Sequence, residues 1–238
     1  MNKKSILSDI RTVLEALLIA MAIRSLLVQP FTIPSASMYP NLMVGDYFYV
    51  TKYTYGFSRY SFPLGGYWLP DFGRVLSDNP KRGDIVVFRV IDKDQDYIKR
   101  VIGLPGDEIK IENGRVYIND KILPRKRLAD SDYKDYKVET YLETLPSGKS
   151  YKIWEVGGDS SFSDNTGSYT VPENHYFMLG DNRDQSSDSR FSDVAFVPFD
   201  ALIGEARHIL FSLENANSYE FWKWFSNIRS ERFMKKVD

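Results

Sequence analysis

Cysteine is missing from this 238-residue chain, which excludes disulfides, thiolate-bound zinc and a cysteine nucleophile together. Histidine is nearly missing. His175 and His208 are the only two, so an imidazole-based triad or a mononuclear zinc site would have to draw on one of them. A charge excess is also absent: 31 Lys and Arg against 32 Asp and Glu leave a net charge of −1. Nothing in that balance suggests a nucleic-acid-binding surface, which would want a basic excess or stripe. Nor is there an unbroken apolar run of about 20 residues. The nearest approach, Val13 to Val28, is interrupted by Glu15 and Arg24. Aromatic residues, in contrast, are plentiful, with 16 Tyr and 15 Phe, and many of them crowd into two stretches.

The interrupted apolar segment admits three readings: a spanning helix, a cleaved signal peptide and an amphipathic core helix. Glu15 and Arg24 lie about 180° apart around a helix, so they make no common polar face, against the amphipathic reading. Ala20-Met21-Ala22 mimics a small-x-small cleavage site, but the apolar core before it would be short and contain Glu15. Ile10 to Val28 would span roughly 28 Å as a helix, with both charges close enough to the ends to snorkel. The expectation is one transmembrane helix over residues 10–29, after a cytoplasmic tail of residues 1–9. Lys3, Lys4 and Arg11 precede the segment and no cation follows it until Lys52, which places the N-terminus inside and the rest outside.

Beyond the segment the pattern is β. Tyr47–Thr51, Ile85–Val90, Tyr97–Ile102, Tyr176–Leu179 and Leu202–Phe211 are rich in β-branched and aromatic residues. Ile109 to Glu112 alternates, Asn113-Gly114 supplies a two-residue turn, and Val116 to Ile118 alternates back, which predicts a hairpin. The fold class expected is mostly β, a barrel or packed antiparallel sheets from residues 30–107 and 176–212. A smaller α+β or β cap over residues 108–175 is inserted in it, the stretch from Lys121 to Gly167 being polar. Residues 213–238 form an amphipathic C-terminal segment in which Phe221, Trp222, Trp224, Phe225 and Ile228 share a helical face, either interfacial or docked on the domain. The aromatic stretch Tyr53 to Phe72 reads equally as a packed loop or as one seated at a bilayer interface.

Three segments carry chemistry. In Ile33-Pro34-Ser35-Ala36-Ser37-Met38-Tyr39-Pro40, two prolines bracket a Ser-Ala-Ser turn and restrict its backbone, which suits a nucleophile that must meet a carbonyl together with nearby N–H donors. The same residues also read as a plain linker. In Asp96-Tyr97-Ile98-Lys99-Arg100-Val101-Ile102, strand alternation sends Lys99 and Arg100 to opposite faces. A lysine becomes a base only if burial among apolar neighbours lowers its pKa toward about 7–8; the alternative is a surface strand with two solvated cations. In Gly180 to Phe191, alternating arginines and carboxylates suggest ion pairs that shape a polar loop, with Ser186 and Ser187 as hydroxyls. The acidic spacing there departs from a twelve-residue calcium loop, and its two arginines oppose a cation.

In this order, the segments Pro30–Pro40, Asn79–Phe88, Asp96–Asp107 and Gly180–Arg190 resemble the bacterial type I (leader) signal peptidase family. The resemblance implies Ser37 as nucleophile and Lys99 as general base and later proton donor. It also implies an oxyanion hole from the Ser35 hydroxyl and the Ser37 N–H, Ser186 orienting the lysine amine, and Asp188 and Arg190 bracing the site. Phe31, Ile33, Leu42, Tyr97 and Ile98 would line shallow pockets. Implied partners are exported preproteins, cut after small residues, and the lipid bilayer of the bacterial cytoplasmic membrane, with the catalytic domain on the extracytoplasmic face. No cofactor, metal or nucleic acid is implied. Two rivals are a self-cleaving Ser-Lys protease of the SOS-repressor type, disfavoured by the absence of a DNA-binding module, and a membrane-anchored adaptor with a decayed site.

Overall fold

The computed structural model describes residues 3–134, 136–158, 161, 163–214 and 227–238. Helix α1 (Lys3–Leu26) leads directly into strand β1 (Val28–Thr32). The segment expected as an anchor over 10–29 is thus helical only to Leu26, and its last residues are already strand. Pro30 favours this change, because the residue before a proline is driven to extended backbone. Along α1 the apolar side chains stay exposed, Leu17, Leu18 and Ile19 among them, and Glu15 pairs with Arg11 one turn back. Among the described residues, no helix is long and apolar enough to cross a membrane.

The body is antiparallel β. Strands β2 (Asp46–Thr51), β3 (Ile85–Val90) and β4 (Gln95–Gly103) precede the hairpin strands β5 (Glu108–Glu112) and β6 (Arg115–Ile118). Short strands β7 (Lys121–Ile122), β8 (Arg125–Arg127) and β9 (Ser131–Tyr133) lead to the long pair β10 (Tyr136–Thr144) and β11 (Ser150–Glu155). The chain returns through β12 (Tyr169–Thr170), β13 (His175–Leu179), β14 (Val197–Pro198) and β15 (Leu202–Ser212). The main sheet runs β1-β2-β15-β3-β4-β13-β14, a second has β10 at its centre flanked by β11 and β8, and a third runs β12-β5-β6-β7.

The main sheet is covered on both faces, which explains why Ile85-Val86-Val87-Phe88 is a continuous apolar run and not an alternating one. Ile85 and Val87 pack with Phe48, Val50 and Ile209, whereas Val86 and Phe88 pack with Val101, Met178 and Leu202. The hairpin expected around Asn113-Gly114 forms, with Glu112 opposite Arg115 and both turn residues at positive φ. The inserted strands share a core with the main sheet, since Ile109, Val116 and Ile153 pack with Ile102 and Phe177. In the Tyr53 to Phe72 stretch the two readings are divided by residue: Tyr55 and Tyr60 are buried, while Tyr53, Tyr67 and Trp68 are exposed. The aromatic C-terminal face lies outside the described residues except for Ile228, which bridges Leu213.

Candidate active site

Between β1 and β2 the proline-bracketed turn is a single 3-10 turn, Ala36–Met38, entered from an extended Ser35. Met38 and Leu42 are fully buried beneath it and fix its height on the sheet. The turn is also gripped from the far loop. The Asn182 N–H donates to the Ser37 carbonyl at 3.1 Å, and the Asn182 amide donates to the Ala36 carbonyl at 3.1 Å. Tyr39 closes the other end, edge-on to Trp154 and to Tyr133 with ring centroids 5.2 Å away in each case.

Lys99 sits on β4 opposite Val86 and is 4 % exposed. Its Nζ lies 2.8 Å from Ser37 Oγ and donates to the Ile98 carbonyl at 2.9 Å. Burial lowers its pKa from 10.5 to about 8, offset in part by Asp188 and Asp181. These two carboxylates do not recharge the lysine because each is held by an arginine. Arg100 grips Asp181 with two 2.8 Å bonds, and Arg190 grips Asp188 at 2.8 and 2.9 Å. Asp188 also accepts the Gly180 N–H at 3.0 Å, and Asn41 donates to Asp181 at 2.7 Å.

The Ser35 hydroxyl stands 3.4 Å from Ser37 Oγ, on the same side of the turn's opening. Ser186 is not joined to Lys99: its hydroxyl is buried without a hydrogen-bond partner and rests against Gly180. A Cβ at residue 180 would come within 2.2 Å of Ser186 Oγ and 2.6 Å of the Ser37 carbonyl, so only glycine lets the loop reach the turn.

An open cleft of about 620 Å³ leads to the dyad, lined by Ser35, Ser37, Lys99, Tyr97, Ile98 and Gln185 among others. Of the residues expected to line it, Tyr97 and Ile98 do. Ile33 and Leu42 lie in the core beneath the turn, and Phe31 stacks on Phe48, because a turn this short needs apolar ballast on its inner side. On β4, residues Gln95 to Ile98 pair with β3 on one side, whereas β13 covers only Arg100 to Gly103 on the other. The cleft therefore exposes a free strand edge beside Lys99. The parts played by Asn182 and Trp154 were not legible in the sequence, because their contacts, with Ala36 and Ser37 and with Tyr39, are to residues far along the chain. Apart from the dyad, the carboxylates of Glu155, Asp164 and Asp184 converge, with ligand atoms within 4.8 Å of one another.

A family model described as "Signal peptidase, peptidase S26" matches residues 6–211 of the chain. Signal peptidase I of Rickettsia typhi is 46% identical over 202 residues, covering 82% of this chain and 76% of the relative. The corresponding protein of Rickettsia akari is 44% identical over 202 residues, with 82% and 75% covered. Among solved structures, a signal peptidase I from Enterococcus faecalis is 27% identical and covers 54% of this chain and 97% of its own, with a TM-score of 0.33.

Proposed function

The chain belongs to the signal peptidase, peptidase S26, family, and we propose that it is a membrane-tethered endopeptidase that removes signal peptides from exported preproteins with Ser37 and Lys99. The observation that carries this reading is the 2.8 Å approach of a buried lysine amine, its pKa lowered to about 8, to the hydroxyl of a rigid turn.

In this reading a neutral Lys99 amine accepts the Ser37 proton as Oγ attacks the scissile carbonyl. Negative charge developing on the carbonyl oxygen is met by the Ser37 N–H and the Ser35 hydroxyl. The Lys99 ammonium then protonates the leaving amine, and water, activated by the same amine, releases the acyl group from Ser37. Asp188 and Arg190 brace the loop that faces the dyad, and Ser186 supports it by packing on Gly180 and not by a bond to the amine. The free edge of β4 suits a substrate that adds as an extended strand, with its side chains directed toward Tyr97 and Ile98. The shallow cleft favours small side chains next to the cut.

Helix α1 is read as the anchor, with the N-terminus in the cytoplasm and residues 30–107 and 176–212 as the catalytic unit outside the bacterial cytoplasmic membrane. Its 24 residues reach about 36 Å, its described apolar side chains from Ile10 onward are exposed, and the Arg11–Glu15 pair lessens the cost of one charge in lipid. Arg24 at its end shares a cavity with Tyr60, Phe62 and Tyr67, which supports an interfacial place for the exposed aromatics beside it. The test is cleavage of an exported precursor by the full chain reconstituted in lipid. Ser37→Ala and Lys99→Ala should each abolish processing with the melting transition retained; normal processing by either variant would overturn the dyad.

A further inference from the structure

Glu155 and Asp184 stand 29 positions apart in the sequence, with Asp164 between them, yet the three carboxylates meet where the end of β11 touches the loop after β13. Glu155 is fully buried, and its Oε2 has no hydrogen-bond partner among the described residues. The Oδ1 of Asp184 is likewise buried and unpartnered, while its Oδ2 accepts the Val156 N–H at 2.6 Å. Two arginines approach, but neither answers these oxygens. Arg183 is committed to Glu143, and Arg125 reaches Oε1 of Glu155 at 3.4 Å. Buried carboxylate oxygens that face one another with no donor are costly, and burial accordingly pushes the Glu155 carboxyl up to about 9.

We propose that Glu155, Asp164 and Asp184 form a binding site for a hard divalent cation, with Ca²⁺ as the preferred class. The donor set is entirely carboxylate oxygen, without nitrogen or sulfur, which selects against zinc and copper. The three side chains come from separate segments in an irregular arrangement, which Ca²⁺ accepts and octahedral Mg²⁺ does not. Spacing and the two arginines within the Gly180–Phe191 loop speak against calcium in that loop alone, whereas here the ligands are assembled across the fold. Position gives the site its consequence. Asp184 lies two residues after Asn182, whose hydrogen bonds hold the Ser37 turn, and two before Ser186. A cation there would fasten the loop that shapes the active site to the inserted strands.

The test uses the full chain in detergent, stripped with chelator, with Tb³⁺ as the probe. Trp154, buried next to Glu155, is a built-in sensitiser. Tb³⁺ emission on tryptophan excitation should be saturable, displaced by Ca²⁺ at least tenfold better than by Mg²⁺, and weakened tenfold or more in Glu155→Gln and Asp184→Asn. Ca²⁺ should raise the melting temperature of the natural chain and not of either variant, a linkage readout independent of proteolysis. Asp184→Asn keeps an oxygen for the Val156 N–H, so its folding serves as the control. Absence of saturable emission, emission unchanged in both variants, or a melting temperature that rises on acidification in chelator but not with Ca²⁺ would overturn the proposal, the last by showing that a proton does the neutralising.

Discussion

Lys99 and Arg100 are adjacent cations with opposite fates, and partners make the difference. Arg100 is buried against Asp181 with its guanidinium 3.9 Å from the Tyr151 ring centroid, and it stays charged. Lys99 is buried without a carboxylate of its own, so its charged form is the one penalised. The sign follows directly. Below a pH of about 8 the folded chain must hold an unfavourable ammonium, and as pH rises through 8 toward 10.5 that penalty is relieved. The shift corresponds to about 3 kcal/mol of stability withheld at neutral and acid pH, the amount by which the proposed base opposes the fold that holds it. For activity, kcat/KM should fall about tenfold per pH unit below an inflection near 8. A pH profile measured with a peptide substrate lacking titratable groups checks this; an acid limb centred near 6 would point to another base. Lys52, also lowered to about 8 by burial, lies outside the cleft and should titrate without moving the rate.

The β10–β11 pair supplies what the dyad itself lacks, a rigid wall behind the loop after β13. Glu143 on β10 is buried against Arg183, which also donates to the Gly180 carbonyl at 3.2 Å. Glu143→Ala strands that guanidinium and should cost about 3–5 kcal/mol, read as a lower urea midpoint. The exposed Arg127–Glu139 pair, at 2.9 Å, should be worth under about 1 kcal/mol when Glu139 is replaced. Similar costs for the two substitutions would refute the argument. The same strand shows why part of the fold was hidden in the sequence. Both of its faces carry buried polar residues, Thr140 on one face meeting Ser131 and Glu143 on the other meeting Arg183, so the hydrophobic period that marks a strand is broken. The hairpin at Asn113-Gly114 and the main-sheet strands were legible because apolar alternation or apolar density and turn chemistry agreed there. At the site, the proline-bracketed serines and the lysine in an apolar strand were readable from local sequence. Asn182 and Trp154 were not, because their work depends on chain segments brought from afar. Ile33 and Leu42 looked like pocket residues and lie in the core, since apolar character alone does not say which side of a turn a residue takes.

For the whole molecule, α1 carries exposed apolar side chains from Ile10 to Leu26, and a single residue, Leu27, separates it from β1. Removal of residues 1–24 should leave the melting temperature of the β body within a few degrees and retain cleavage of a soluble peptide. It should abolish co-flotation with lipid vesicles; undiminished flotation would show that the anchor lies elsewhere. The brevity of the link has its own consequence. From Leu26 to Ser37 the chain can extend at most roughly 38 Å, and the packing of β1 into the sheet shortens that reach further. If α1 sits in the bilayer, as proposed, Ser37 hangs on a short leash and reaches a layer a few nanometres deep over the membrane surface. A scissile bond held at that altitude meets the enzyme in a two-dimensional search at high effective concentration, while the same sequence on a fully released protein drifts out of range. On the proposed anchoring the tether acts as a ruler, and selection by height complements the modest selectivity of a shallow cleft.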